Sequence, residues 1–321
     1  MASKINKGME KMGMKRKLNS IMVFTAILVL ISISVAQAAF FDTAGKSARG
    51  IGMGEVFLAS SSDASGYCYN PAGLSNFDSK QLSVGYGKPA AVISELMTSQ
   101  INIVSPMGEN SGIGLGISYG GIDVASDMVI SGGYGVKLSE NLAIGANLKV
   151  MRWAAEGQDI VWGGAGTDED LSKTAVSLDL SATYSLGEMM GLDNLMTGLY
   201  VRDAIMPNIS ESGDDGGQLP IEIGIGVLAE LNELLIGGDI ATVDGETIFR
   251  VGAESGITGS DLKVRGGFIY GSDFADELEK ADFDLGLGYA FKSLLFDYAY
   301  NMPIAFKEAG GRHYVSFGVS F

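Results

Sequence analysis

The chain has 321 residues, and its 38 acidic against 22 basic residues give a formal net charge of −16. A surface this acidic repels phosphate backbones, so the composition excludes nucleic acid as a partner. The mean hydropathy is nevertheless positive at +0.22. No segment after residue 38 approaches the roughly 20 consecutive apolar residues that a membrane-spanning helix needs. The apolar residues must therefore belong to another kind of structure.

The first 38 residues have the pattern of an export signal. A basic run at Lys15–Lys17 precedes the uncharged apolar stretch Ile21–Ile33, and Ala36–Ala38 fits the small-x-small cleavage pattern. A membrane anchor is the alternative, because the apolar stretch extends at both ends toward anchor length. The cleavage pattern favours the signal peptide, and we predict one at residues 1–38.

The next stretch, Ser47–Leu74, does not alternate between apolar and polar residues. It holds three glycines between positions 50 and 54, and Pro71 removes a backbone donor and disfavours a helical Asn70. Its run of apolar residues favours packing against or within a closed sheet over an exposed N-terminal loop. The single cysteine, Cys68, cannot form an internal disulfide, and we expect its thiol to be buried and inert.

From residue 80 onward, apolar and polar residues alternate with a period of two, which predicts strands. Within residues 281–291, the odd positions from 283 onward are Phe, Leu and Tyr, while the even positions are Asp, Gly and Ala. Residues 112–120 and 221–231 divide in the same way, over about the length of a tilted membrane strand. A soluble sandwich also alternates, but its polar face meets water and carries Lys and Glu. Here glycine crowds the polar face, which we interpret as small lumen-facing residues that leave room.

These features predict an all-β fold, a closed antiparallel transmembrane β-barrel of about fourteen strands. The predicted strands lie at residues 80–88, 95–105, 112–122, 127–138, 142–154, 172–186, 194–204, 219–231, 234–242, 246–254, 261–270, 281–291, 293–302 and 312–321. Links after strands 4, 8 and 12 are short, and links after strands 5, 7, 11 and 13 are long, as the two ends of such barrels require. The last strand ends on aromatic Phe321, and aromatic residues near strand ends, such as Trp153, suit interfacial girdles.

Two patterns raise the question of catalysis or metal binding. Residues Gly116–Gly120 match G-x-S-x-G, the serine-hydrolase elbow, which needs a strand-to-helix turn and a histidine. The match lies inside an alternating strand, and the only histidine is His313. The acidic loop residues Asp168–Asp170 could hold a cation but lack a calcium-loop pattern, so solvated loop charge is favoured. We therefore predict no enzyme, no catalytic residue, no cofactor and no metal.

Several charged residues are predicted to face the lumen. Charges inside a low-dielectric shell must be paired or hydrated. They therefore form either a static network of ion pairs or a polar path through the lumen. The sequence leaves both open. The candidate lumen charges are Arg202, Glu222, Arg250, Glu254 and Arg265.

The segment Ala48–Leu74 resembles the N-terminal signature of the PorV/PorQ-type outer-membrane proteins, which are relatives of the FadL-like hydrocarbon and fatty-acid transporters. The matching residues are Ala48-Arg49, Gly52-Met53-Gly54, Phe57, Ala59, Asp63-Ala64 and Asn70-Pro71-Ala72-Gly73-Leu74. The resemblance implies a location in the bacterial outer membrane, a barrel at residues 80–321, and a hatch at residues 39–79 folded into its lumen. The hatch or gate residues are then Gly52, Gly54, Asp63, Asn70, Pro71, Ala72 and Gly73.

The resemblance also implies transport or protein export across the outer membrane. The implied partners are outer-membrane lipid and either a hydrophobic small-molecule ligand or components of a secretion system. Two alternatives stay open, a passive uptake channel for hydrophobic small molecules and a sealed structural barrel that docks a secretion complex. Within the hatch, we expect Asn70 to bond to neighbouring backbone or to a lumen charge.

Overall fold

A computed structural model describes residues 46–56, 63–89, 95–156, 171–189, 191–209, 217–272, 280–304 and 310–321. The predicted signal peptide, the signature residues Phe57 and Ala59, and Asp168–Asp170 lie outside these residues. The described chain begins with a short helix, α1 (Ala48–Gly52), followed by two 3₁₀ helices at Gly66–Cys68 and Pro71–Asn76. Among the described residues, no helix is long and apolar enough to cross a membrane.

Fourteen strands follow, which confirms the predicted number. They are β1 (Gln81–Lys88), β2 (Met97–Pro106), β3 (Ser111–Ile122), β4 (Ala125–Lys137), β5 (Leu142–Ala155), β6 (Leu171–Met189), β7 (Leu192–Arg202), β8 (Glu222–Leu231), β9 (Leu234–Val243), β10 (Glu246–Gly256), β11 (Leu262–Ser272), β12 (Lys280–Phe291), β13 (Leu294–Pro303) and β14 (Arg312–Ser320). Every predicted strand end lies within about three residues of the observed one.

The strands form one closed antiparallel barrel in which each pairs with its neighbours in sequence. The ring closes between β1 and β14, where Val84 lies opposite Phe317. Closure gives the terminal strands a partner on both sides, so their backbone groups need no water.

The two faces of the barrel wall differ as the alternation predicts. On β12, Leu285 is 49% exposed while its neighbour Asp284 is 0% exposed. The same division runs through β3, where Ile113, Leu115 and Ile117 point outward. An outer surface of exposed Leu, Ile, Val and Phe on every side is unfavourable in water and suits the hydrocarbon of a bilayer.

The links at the two ends of the barrel differ in length. The links after β8 and β12 have two residues each, and Asn232 and Lys292 adopt left-handed φ angles of 57° and 56° there. That conformation matches the twist of tight hairpins. The links after β5 and β7 span 156–170 and 203–221. We call the end that carries the links after odd-numbered strands the loop end, and the opposite end the turn end.

Candidate functional site

The described residues 46–56 and 63–79, which we call the N-terminal segment, lie against the inward faces of the strands. Helix α1 contacts β11–β14, and the second 3₁₀ helix contacts β2–β6, on the other side of the ring. Tyr67 and Leu74 are 0% exposed and pack with Val104 of β2. The segment is therefore a kinked connector packed within a closed sheet, as its lack of alternation predicts. Its use as a hatch and its limits at residues 39 and 79 stay predictions.

Inward-facing glycines let the backbone of the N-terminal segment approach the wall. A Cβ added to Gly112 would lie 2.2 Å from the carbonyl oxygen of Leu74, and one added to Gly145 would lie 2.3 Å from the Ala72 nitrogen. A Cβ on Gly52 would lie 2.9 Å from Cα of Gly286. The room that these glycines leave is thus filled by the N-terminal segment and is not open lumen.

All seven predicted hatch residues are buried, and the structure divides them between the two sides of the ring. Gly54 has a φ of +64°, and a Cβ there would lie 2.8 Å from the Val251 oxygen of β10. On the other side, Oδ1 of Asn70 accepts a hydrogen bond of 3.1 Å from the Ala72 nitrogen, which also donates to Ser181 Oγ of β6 at 2.9 Å. The expected bond between Asn70 and neighbouring backbone is confirmed. The buried hatch residues are Gly52, Gly54, Asp63, Asn70, Pro71, Ala72 and Gly73.

One group of ion pairs, the Arg49 cluster, joins the N-terminal segment to the wall. Arg49 Nε lies 2.9 Å from Glu254 Oε2, which also accepts from Arg265 Nε at 2.6 Å. Arg265 continues to Asp297, with Nη1 2.6 Å from Oδ1. Arg49 also lies 3.7 Å from Asp63 of its own segment. Charges this deeply buried are stable only when paired, so the cluster favours one position of α1.

A second group, the Arg250 cluster, lies on β7–β10. Arg250 contacts Glu222 at 3.2 Å and Asp239 at 3.1 Å, and Arg202 contacts Glu222 at 3.0 Å. Tyr200 donates to the same Glu222 carboxylate. The five predicted lumen charges therefore fall into two clusters, with Glu254 and Arg265 in the first and Arg202, Glu222 and Arg250 in the second.

Among the described residues, the lumen cations Lys46, Arg49 and Lys149 were not predicted from the sequence. Arg49 appeared only as part of the family signature. Lys149 occupies an inward position of β5, and its Nζ lies 2.8 Å from both Asp179 Oδ1 and Asp203 Oδ1. The alternation of β5 carries the signal that could have identified Lys149, because it shares the face of Met151.

A cavity of about 360 Å³ lies between the N-terminal segment and the loop end. The segment contributes Lys46, Glu55, Cys68 and Tyr69 to its lining, and the links after β7 and β9 contribute at the other side. Part of the wall is charged, through Lys149 and the Arg250 cluster. The apolar part of the wall includes Val129, Met151, Leu219, Ile248 and Ile269.

The predicted girdle position of Trp153 is wrong. Trp153 shares the inward parity of Met151 in β5 and packs against Val129, Met151 and Leu219. Its Nε1 donates to the carbonyl oxygen of Ile209 at 2.7 Å. The described part of the link after β7 therefore packs against the inward faces of β4 and β5, next to the cavity.

The serine-hydrolase pattern does not assemble a catalytic pair. Ser118 lines the cavity on the inward face of β3. His313 is exposed on the outward face of β14, with Nδ1 2.8 Å from the Tyr298 hydroxyl. The barrel wall separates the two side chains, so His313 cannot act as a base for Ser118.

Cys68 lines the cavity as a partly buried thiol that donates to Asn102 Oδ1 at 3.7 Å. Removal from water raises the pKa of the Cys68 thiol to about 12. Because the thiolate is the reactive form, this shift disfavours reaction of the thiol at neutral pH. The thiol is partly buried, whereas the sequence predicted a buried one, and its inertness stays a prediction.

No protein-family model matches the chain, and no curated protein sequence matches it. Solved structures share its fold, including the toluene transporter TbuX of Ralstonia pickettii, with a TM-score of 0.66 and 11% identity over 88% of this chain and 100% of that one. The toluene transporter TodX of Pseudomonas putida has a TM-score of 0.60 and 14% identity over 88% and 99% of the two chains. A FadL homologue of Pseudomonas aeruginosa has a TM-score of 0.58 and 12% identity over 86% and 95%. At such identities the likeness is one of fold.

Proposed function

We propose that the chain is a non-enzymatic barrel of the bacterial outer membrane that lets small molecules with an apolar part pass through its lumen. The observation that carries this proposal is the cavity of about 360 Å³ between the N-terminal segment and the loop end. Its volume falls within the range of small-molecule sites, and its wall combines apolar and polar groups as such sites do.

The outer surface supports the membrane location. Closed barrels with an outward apolar face are the β-structures that cross membranes, because each backbone group is paired within the wall. Two proteins of the same fold are named as toluene transporters. A role in passing hydrophobic molecules is therefore the simplest one for this cavity.

The N-terminal segment would act as the gate. It closes the side of the cavity that faces away from the loop end, and directional contacts hold it there. Those contacts include the Arg49–Glu254 pair on one side and the bond from the Ala72 nitrogen to Ser181 on the other. Displacing the segment would open the lumen toward the turn end.

Uptake by whole cells tests the proposal. Expression of the chain in a bacterium whose outer membrane excludes hydrophobic solutes should speed the entry of a radiolabelled aromatic hydrocarbon over a vector control. Entry of a disaccharide should stay unchanged. Unchanged hydrocarbon entry, with the barrel shown to be in the outer membrane, would refute the channel.

A sealed barrel that serves protein export is the second candidate. The likeness of Ala48–Leu74 to the PorV/PorQ-type signature favours it, as does the complete burial of Tyr67, Ala72 and Leu74. Deletion of the gene from its native bacterium separates the two. Export predicts that secreted proteins accumulate inside the cell, whereas the channel predicts an unchanged set of secreted proteins.

A further inference from the structure

We propose, on the basis of the channel function above, that the cavity selects amphiphiles with an apolar body and a positively charged amine head. This names the class of molecule that the lumen would admit. It separates such molecules from plain hydrocarbons and from anionic amphiphiles of the same size.

The cations around the cavity already have carboxylate partners. Lys149 contacts Asp179 and Asp203, while Arg202 and Arg250 both contact Glu222. A ligand carboxylate that replaced one of these carboxylates would leave it buried and uncompensated, which is strongly unfavourable. Nε of Arg250 is a buried donor of this group without a hydrogen-bond partner among the described residues.

The charge of the lining also favours a cation. Four basic residues line the cavity, namely Lys46, Lys149, Arg202 and Arg250. Six acidic residues line it, namely Glu55, Asp179, Asp203, Glu222, Asp244 and Glu246. The surplus of carboxylates gives the cavity a negative potential, which stabilises a positive head.

One buried acceptor in the cavity wall has no partner. Asn147 of β5 is 1% exposed, and its Nδ2 donates to Asp179 Oδ2 at 3.4 Å. Its Oδ1 makes no hydrogen bond within the described residues. A buried acceptor without a donor costs free energy, and a ligand N–H would relieve it. An ammonium bound to Asn147 would share the Asp179 carboxylate with Lys149, whose Nζ lies 2.8 Å from Asp179 Oδ1, whereas a hydrocarbon would leave the acceptor unsatisfied.

The apolar body of the ligand would lie beside the same strand, β5. Asn147 and Met151 share the inward face of β5 and lie about 13 Å apart along it, from the rise per residue of a strand. Met151 packs with Val129 and Leu219 in the apolar part of the cavity wall. Lys149 occupies the inward position between them, and its Nζ is held by Asp179 and Asp203. A head at Asn147 and a body near Met151 would therefore fit one elongated molecule that passes over the Lys149 side chain.

By sequence, the links that join strands at the loop end are acidic. The links after β5, β7, β11 and β13 contain five, four, four and one acidic residues, and Lys307 is their single basic residue. Negative charge around an opening raises the local concentration of cations and lowers that of anions, and salt screens the effect.

Four ligands that share a phenylalkyl body and differ in their head group test the proposal. They are 4-phenylbutylamine, 4-phenylbutanol, 4-phenylbutyrate and butylbenzene. Binding to the purified full barrel is followed by calorimetry and by Trp153 fluorescence, with Trp162→Phe removing the other tryptophan. We expect the ammonium to bind at least tenfold more tightly than the alcohol and the hydrocarbon, and the carboxylate to bind most weakly. Equal affinities, or tightest binding of the carboxylate, would overturn the proposal.

Two variants test where the ammonium head of the ligand binds. Asn147→Leu and Asp179→Asn should each weaken ammonium binding about tenfold and leave butylbenzene binding unchanged. Ser316→Ala, on an inward position of β14 outside the cavity lining, is the control and should change neither. If Asn147→Leu fails to fold, Asp179→Asn carries the test. Unchanged ammonium preference in the folded variants would contradict the assigned head site.

The two proposals fail separately. Hydrocarbon entry into cells without amine preference in the binding series would leave the channel standing and remove the selectivity. Amine-selective binding without entry of any solute would leave the selectivity standing and refute the channel.

Discussion

Arg49 of α1 and Glu254 of β10 form a doubly bonded ion pair across 205 positions of sequence. Nε of Arg49 lies 2.9 Å from Oε2 of Glu254, and Nη2 lies 3.3 Å from Oε1. The side chains are only 11% and 6% exposed. Two parallel bonds between a guanidinium and a carboxylate fix direction as well as distance, so this pair orients the N-terminal segment against the wall.

Replacement of Arg49 should loosen the N-terminal segment without unfolding the barrel. In Arg49→Ala, Glu254 keeps Arg265 and Lys263, so the loss is that of a charged hydrogen bond, about 1.5–3 kcal/mol. That shifts the population of displaced segment by roughly tenfold or more. The measurement is the open probability of single barrels in planar bilayers.

The matched control for that variant is Lys263→Ala. Lys263 also contacts Glu254, at 2.9 Å, but its side chain is 48% exposed. Exposed pairs contribute about 0–1 kcal/mol, so its open probability should stay near that of the parent. Equal open probabilities in the two variants would show that Arg49 does not hold the segment.

Two glycines on β4 allow a second test of the packing between wall and segment. A Cβ at Gly135 would lie 2.5 Å from the Pro71 oxygen, whereas one at Gly132 would meet nothing closer than Leu115 Cδ2 at 3.6 Å. Gly135→Ala should therefore displace the second 3₁₀ helix and expose the segment to added protease, and Gly132→Ala should not. Both variants should keep the heat-modifiable gel migration of a closed barrel. Protection of the segment in Gly135→Ala would mean that the observed contact is wrong.

The fold could be predicted from sequence because a period of two maps directly onto the two faces of a strand. Leu285 and Asp284 illustrate this, since neighbouring residues in sequence lie on lipid and lumen faces. The positions of the tight links followed from counting strands. Trp153 was misplaced because its residue type, favoured at membrane interfaces, outweighed its inward parity.

The partners within the lumen could not be predicted in the same way. The pairing of Arg49 with Glu254 joins segments 205 positions apart, and no local pattern encodes such a distance. Gly286 was correctly predicted to face inward, but only the structure shows that Gly52 occupies the space beside it. The cavity depends on how the N-terminal segment is placed, so its shape is a property of the assembled barrel.

Cys68 provides a pH-dependent readout of the closed lumen. With the pKa of the Cys68 thiol raised to about 12, the thiolate fraction is small at pH 8 and grows about tenfold per pH unit. The rate of maleimide labelling of the folded barrel should rise across pH 8–10 without a plateau. In the urea-unfolded chain the rate should be half-maximal near pH 8.5, the ordinary pKa of a cysteine, and level off about one pH unit higher. The same profile in the folded barrel would place Cys68 in water.

The lipid-facing assignment predicts different effects of arginine at two leucines. Leu285 lies at the middle of β12, and Leu285→Arg should lower the free energy of unfolding by about 2–4 kcal/mol. Leu294 begins β13 beside a tight turn, where the cost near the interface falls to about 0–1 kcal/mol. Urea unfolding of the barrel in lipid vesicles measures both values. Equal costs would reject the placement of mid-strand residues in hydrocarbon.

The conductance of the whole barrel, compared with that of a barrel lacking residues 39–79, is the most direct test of a gated lumen. The N-terminal segment fills the lumen between β2–β6 and β11–β14, so the whole barrel should be mostly closed in a planar bilayer. Removal of the segment should give sustained conductance in a barrel that keeps its heat-modifiable migration. A folded, truncated barrel that conducts no more than the whole one would contradict the gate.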